Sequence, residues 1–157
     1  MAAPTPTARS TPGGLKLKDG FSSMLTFAAD SDIMLFEKSV QPPSLDGGEP
    51  VDTTTMHNTL YRTVAPRKLI TLGSHTIKCA YDPKVYDQII DIINDETTIT
   101  VEFSDGSTLA YYGYLQKFEP EAMEEGTMPM ANVTIVPTNI DASDVEAGPV
   151  MNEVSGT

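Results

Sequence analysis

Residues Asp82 to Pro137 constrain the fold of this chain most, because they set one capped helix, one tight hairpin and one closing strand in a fixed order. Asp82 is a good N-cap, and Pro83 suits the first helical position, where its missing N–H costs nothing. Val85, Ile89 and Ile92 recur at i, i+4, i+7, and so do Tyr86, Ile90 and Ile93, which predicts a broad apolar face opposite Asp87, Gln88 and Asp91. Asn94 can close the helix in a left-handed conformation. Ile99, Val101 and Phe103 then alternate with Thr100 and Glu102, and Asp105-Gly106 is a type I′ hairpin signal. On the return strand Leu109, Tyr111 and Leu115 continue one face, while Ala110, Tyr112 and Tyr114 line the other. Apolar or aromatic residues on both faces predict a strand buried by the core on one side and by a partner on the other. Glu119 to Gly126 reads as an acidic loop. Ala131, Val133 and Ile135 alternate in a last strand stopped by Pro137.

The N-terminal half is less regular. Leu15 to Asp19 reads as a short extended piece, and Ser22 to Ala28 and Ile33 to Val40 as strands joined by Ala29-Asp30-Ser31-Asp32. Leu69 to Leu72 and Ser74 to Ala80 read as a bent strand pair about Gly73. Between them Gln41 to Arg67 sustains no period and is broken by Pro42, Pro43, Gly47, Gly48, Pro50 and Pro66. A loop of more than about 15 residues in a compact domain is usually functional or disordered. Leu60, Tyr61 and Val64, with Arg62, Arg67 and Lys68 beside them, give it apolar and basic groups to offer a partner.

Met1 to Gly14, which has Arg9 but no apolar run, reads as a flexible arm rather than a secretory signal, and residues 139–157 as an acidic tail. That leaves residues 15–138, about 120 residues, for one domain with one core. No run of about 18 apolar residues is present, so a membrane-spanning helix is not expected.

Chemistry is sparse. The single cysteine, Cys79, excludes an internal disulfide and a cysteine-based zinc cluster within the chain, and its alternating position reads as core filler. His57 and His75 lie 18 residues apart with no metal-ligand spacing to carboxylates. No phosphate-binding glycine loop and no Gly-x-Ser-x-Gly elbow occurs. Glu119, Glu121, Glu124 and Glu125 lack the alternating oxygen ligands of a calcium loop. Neither an enzyme nor a cofactor is expected.

The net charge of −12 is uneven: residues 1–81 carry eight Lys/Arg against seven Asp/Glu, residues 82–118 two against seven, and residues 119–157 none against eight. Such a surface solubilises the chain. Nucleic-acid phosphate is not expected to bind there, because that affinity needs Lys/Arg to release counterions; a surface that must face nucleic acid without sticking is the alternative reading, and charge alone does not separate the two.

The succession of two strands, long loop, strand, helix, hairpin and last strand resembles the major tail tube proteins of long-tailed bacteriophages. The resemblance rests on Phe103-Ser104-Asp105-Gly106, on Tyr112-Gly113-Tyr114-Leu115 and on Asn132 to Pro137, and it spans Phe21 to Thr138. It implies a mostly β fold, a β-sandwich or small barrel with one flanking α-helix and a long loop arm. It further implies a structural virion protein, assembled in the host cytoplasm, whose hexameric rings stack into a hollow tube alongside the tape measure and other tail proteins. DNA would pass through without specific binding, and no membrane would be involved. Leu60, Tyr61, Arg62, Val64, Arg67 and Lys68 would reach a neighbouring subunit or ring, Tyr112 and Tyr114 would lie in a strand pairing across subunits, and the termini would order on assembly. Glu102, Asp105, Glu119 and Glu121 are candidates for the repulsive lumen charge. No immunoglobulin-like decoration after the last strand is expected. A tail terminator or connector, a contractile-system inner tube protein and a monomeric acidic β-sandwich binding module are the alternatives.

Overall fold

The computed structural model describes residues 23–33, 35–104 and 106–153. The expected arm at 1–14, the extended piece Leu15 to Asp19, Met34 within the second predicted strand, Asp105 of the turn and residues 154–157 lie outside them. The described chain is mostly β with one helix, in the order β1 (Met24–Phe27), β2 (Phe36–Val40), β3 (Leu45–Asp46), β4 (Val51–Asp52), β5 (Val64–Ala65), β6 (Thr71–Leu72), β7 (His75–Ala80), α1 (Pro83–Ile92), β8 (Thr97–Glu102), β9 (Thr108–Pro120), β10 (Met130–Pro137) and β11 (Val150–Asn152).

The main sheet runs β1-β8-β9-β10-β7-β2, every pairing antiparallel, with β11 also on β9. The alternation seen in the sequence selects the core: Ile77 and Cys79 of β7, Ile99 and Val101 of β8, and Ala131, Val133 and Ile135 of β10 are fully buried. Their polar neighbours Thr76 and Lys78 point out, because successive strand side chains face opposite ways. The sheet curls until its two edge strands meet. There the Leu25 N–H of β1 donates to Glu37 Oε1 of β2 at 2.9 Å, and burial pushes the Glu37 carboxyl up while that bond pulls it down.

β9 organises the rest. Its first half pairs with β8, from Thr108↔Glu102 to Gly113↔Thr97, and its second half with β10, from Gly113↔Pro137 to Pro120↔Ala131. The β9–β10 register slips between Thr134 and Ile135, where Lys117 and Leu115 are the successive partners and Gln116 is the extra residue. Such a bulge reverses which parity of side chains faces inward. Tyr111, Gly113 and Leu115 point to the core before it, and Phe118 packs against the core after it.

α1 forms as its caps dictate. The Asp82 side chain accepts the Lys84 N–H at 3.0 Å, Pro83 begins the helix, and Asn94 sits at φ 63 with its N–H donating to Leu115 O. Ten residues are too few for a stable helix in isolation, so burial must hold it. Val85, Ile89 and Ile92 supply that burial. The second expected stripe, Tyr86, Ile90 and Ile93, stays largely exposed, so the buried face is narrower than the sequence pattern suggests. The reason is geometric: α1 covers the core beside β9, and a stripe turned one residue, about 100°, around the axis lies at the margin of that contact, where Tyr86 meets Tyr81 and Phe118 at its rim and Ile90 faces out.

Three further expectations change. The hairpin at Gly106 is not a two-residue type I′ turn: Phe103 N–H donates to Ser107 O, Gly106 N–H donates to Phe103 O, and Gly106 lies at φ 88. Residues 41–67 are not an unstructured loop (see below). The tail does not await assembly to order, at least through Asn152. Asp141 and Asn139 close a turn with Val145 and Ala147, and β11 pairs Val150–Asn152 with Ala110–Thr108.

Gly113 lies where β9 passes from β8 to β10, and a Cβ there would stand 2.6 Å from Val136 O and 3.0 Å from Pro137 Cα, both backbone. Gly113→Ala is therefore expected to destabilise the fold by about 1–3 kcal/mol. Urea denaturation checks this, and an unchanged midpoint would contradict the tight crossing.

Candidate assembly interface

The stretch between β2 and β7 is an antiparallel arm built as nested pairs. β3 pairs with β6 through Leu45↔Leu72, and β4 with β5 through Val51↔Ala65. No regular period appears in the sequence because each pairing lasts two residues before Gly47, Gly48, Pro50 or Pro66 interrupts it. Polar bonds hold the arm instead. Gly73 N–H donates to Ser44 O at 2.7 Å, Arg67 Nε to Glu49 O at 2.8 Å, and Thr53 N–H to Thr63 O at 2.9 Å. At the tip Asn58 accepts the Thr55 N–H and donates through Nδ2 to Tyr61 O, while the Thr54 hydroxyl accepts the Thr63 N–H.

Apolar side chains along the arm have little to pack against. Leu60 is 84% exposed, Tyr61 81% and Val64 65%, and Met56, Leu69 and Ile70 are exposed as well. Leu72 alone of the arm's large apolar groups is in the core. A run of exposed apolar groups of this extent marks an interaction surface or an aggregation hazard. Of the expected interface residues, Leu60, Tyr61, Arg62, Val64, Arg67 and Lys68 are thus brought together on one exposed element, with Arg67 pinned to the opposite side of the ladder. Leu45, Val51, Met56, Leu69 and Ile70 are further exposed apolar groups on the same arm. Sequence reasoning missed them because it treated the segment as loop and its ends as strand.

The other predicted residues fare differently. Tyr112 and Tyr114 are half-buried, but the strand carrying them cannot pair with a neighbour there. Tyr112 is opposite Thr98 of β8, Tyr114 is opposite Val136 of β10, and Ile93 bridges Leu115, so both edges are occupied within the chain. The acidic candidates do not converge. Glu102 stands opposite Thr108 at one end of β9 and Glu119 opposite Asn132 near the other, with about 35 Å of strand between them. Glu121 binds Lys78 at 3.2 Å and Asn132, which lowers its carboxyl, and Glu119 faces Lys117 at 3.5 Å. That face is a mixed-charge surface rather than a purely negative one. Asp105 lies outside the described residues.

Cys79 is buried against Ala131 O, and burial with the nearby Glu37 pushes its thiol up to about 11. Among the described residues no three His, Cys, Asp or Glu side chains group as metal ligands, and no helix is long and apolar enough to cross a membrane.

No protein-family model matches this chain, and no curated protein sequence matches it. Ten chains of solved structures match it. One belongs to the six-fold symmetrised structure of the anti-feeding prophage baseplate: the likeness covers 85% of this chain and 92% of that one, with a TM-score of 0.57 and 7% identity. At that identity the likeness shows a shared fold.

The arm's root holds a buried titratable group. His75, next to the end of the arm, shares a hydrogen bond with the Tyr111 hydroxyl, and the two rings meet edge-on at 5.4 Å. Burial lowers the His75 pKa below its ordinary 6.5, outweighing the Gln41 backbone, which raises it. The unfolded chain therefore takes up a proton that the folded chain refuses, and this contribution to stability is complete above about pH 6.5 and is lost as pH falls. The shift at Glu37 has the opposite sign and is common to any His75 variant. The urea midpoint of His75→Gln, which can still bond Tyr111, is expected to fall less than that of the wild type between pH 7 and pH 5. Parallel curves would contradict a neutral buried His75.

Proposed function

We propose that this chain is a self-assembling structural subunit of a phage tail or related apparatus, its copies forming hexameric rings that stack into a tube. The observation that carries the reading is the apolar arm. A closed β-body that satisfies its own central strands also holds out an ordered hairpin whose apolar side chains it does not cover, which suits a second copy better than a small ligand. The likeness in fold to a chain of a six-fold symmetrised prophage baseplate supports the choice of assembly. The partners are then further copies and other tail proteins, and the location is the virion.

In this reading the net charge of −12 keeps DNA from adhering to the wall as it passes. The Lys78–Glu121 and Lys117–Glu119 pairs make the outer face of β7, β9 and β10 a weak candidate for that wall. The acids of residues 82–96 and 141–146, which form no ion pair among the described residues, are stronger ones. A second reading, a ring at the baseplate end rather than the tube shaft, is favoured by the baseplate origin of the structural neighbour.

Electron microscopy of the purified chain tests the proposal. Six-fold rings or hollow tubes are expected. A monomer at high concentration, with no rings in any condition, would overturn it. Deleting residues 47–63 is expected to leave a folded, soluble body that no longer polymerises. Tubes formed without those residues would remove the arm from the account.

A further inference from the structure

Among the described residues two exposed apolar surfaces stand out, and they do not cover each other. One is the arm. The other is the second stripe of α1, Tyr86 and Ile90, continued by the C-cap residue Ile93 at the spacing i, i+4, i+7. Ile90 is 58% exposed, more than its neighbours along the stripe. The stripe is rigidly presented, since Tyr86 is set edge-on against Phe118 at 5.7 Å and Tyr81 at 6.4 Å, and the helix beneath is locked by Val85, Ile89 and Ile92.

Charge distinguishes the two surfaces. The returning strand of the arm, residues 53–70, carries Arg62, Arg67 and Lys68 and no carboxylate, while Asp46, Glu49 and Asp52 lie on its outgoing strand. Residues 82–96, which make α1 and its flanks, carry five carboxylates, Asp82, Asp87, Asp91, Asp95 and Glu96, against Lys84. Two helices would repel each other, whereas the basic strand of an arm and a helix attract. Complementary charge of this kind steers encounter and fixes register, while apolar burial supplies most of the affinity.

We infer that the receptor for the arm is the exposed stripe of α1 on a second copy of this chain, Leu60 and Tyr61 packing on Tyr86, Ile90 and Ile93 while Arg62 and Lys68 face Asp87 and Asp91. Donor and receptor are different patches, so the contact is heterologous. Each copy gives an arm and receives one, and the series closes as a ring or continues as a filament. This rests on the reading above that copies associate, and it names which surfaces meet.

The test uses the full-length chain in sedimentation velocity, with microscopy in parallel. Ile90→Asp is expected to raise the concentration needed for assembly at least about tenfold while leaving the circular dichroism and thermal transition unchanged, since Ile90 is exposed. Ile90→Gln, milder on the helix, is the second variant should Ile90→Asp disturb folding. Leu60→Asp blocks the arm instead. Neither blocked variant assembles alone, but mixed one to one they are expected to yield a heterodimer and nothing longer, because one intact arm and one intact stripe remain. Asp91→Lys is expected to weaken assembly severalfold, and Asp91→Lys with Lys68→Glu to recover it. Wild-type assembly by Ile90→Asp and Ile90→Gln, or a mixture that stays monomeric, would overturn the inference and leave the tube proposal standing. Arm-on-helix oligomers without rings or tubes would uphold the inference and overturn the tube. A wild type that never associates would overturn both.

Discussion

The hydrogen-bonding edges of β9 are the constraint on which the molecule depends. One edge of this 13-residue strand is taken by β8 and then by the Ile93–Asn94 corner, the other by β11 and then by β10. An unpaired buried amide or carbonyl costs about as much as a lost hydrogen bond, so the satisfied strand fixes its neighbours. The crossing at Gly113 lets two strands meet one without clash, and the bulge at Gln116 turns Phe118 inward to seat Tyr86 of the helix. With the centre satisfied, β1 and β2 come together at the seam where Glu37 accepts the Leu25 N–H.

The same economy explains why the arm is bare. Every large apolar group of β7, β8 and β10 that faces inward is already spent on one core, and the arm contributes only Leu72 to it. What orders the arm is a sequence of backbone and Thr, Asn and Arg bonds, each worth about 1 kcal/mol in water. Those bonds preform the hairpin without burying its leucines, tyrosine and valines. A preformed apolar element loses less conformational entropy on docking than a disordered loop would, and this lowers the cost of association.

Local features were legible in the chain, and long-range ones were not. Asp82, Pro83 and Asn94 act within a turn of the residues they cap, so the helix and its left-handed end could be read directly. Ile99 to Val101 and Ala131 to Ile135 alternate without interruption and became β8 and β10. The parity switch at Gln116 leaves no mark in composition, because the bulge is set by the partner strand. The arm was misread as a loop since its pairings are two residues long. The proposed cross-subunit role of Tyr112 and Tyr114 failed because the aromatic pattern reports burial of faces and says nothing of edges. The residues that close those edges, Ile93, Val136 and Val150–Asn152, lie 22 to 44 residues away in sequence from the strand positions they cover. The tyrosine stripe of α1 was visible in the spacing, yet only the structure separates the buried stripe from the exposed one.

Amide hydrogen exchange across residues 51–65 measures the central claim, that association covers the arm. Dilute protein and assembled protein are compared under one buffer. The account predicts that amides from Leu60 to Val64 exchange much more slowly in the assembled state, while those of β7, β8 and β10 are slow in both. Equal exchange of the arm in dilute and assembled protein would contradict it.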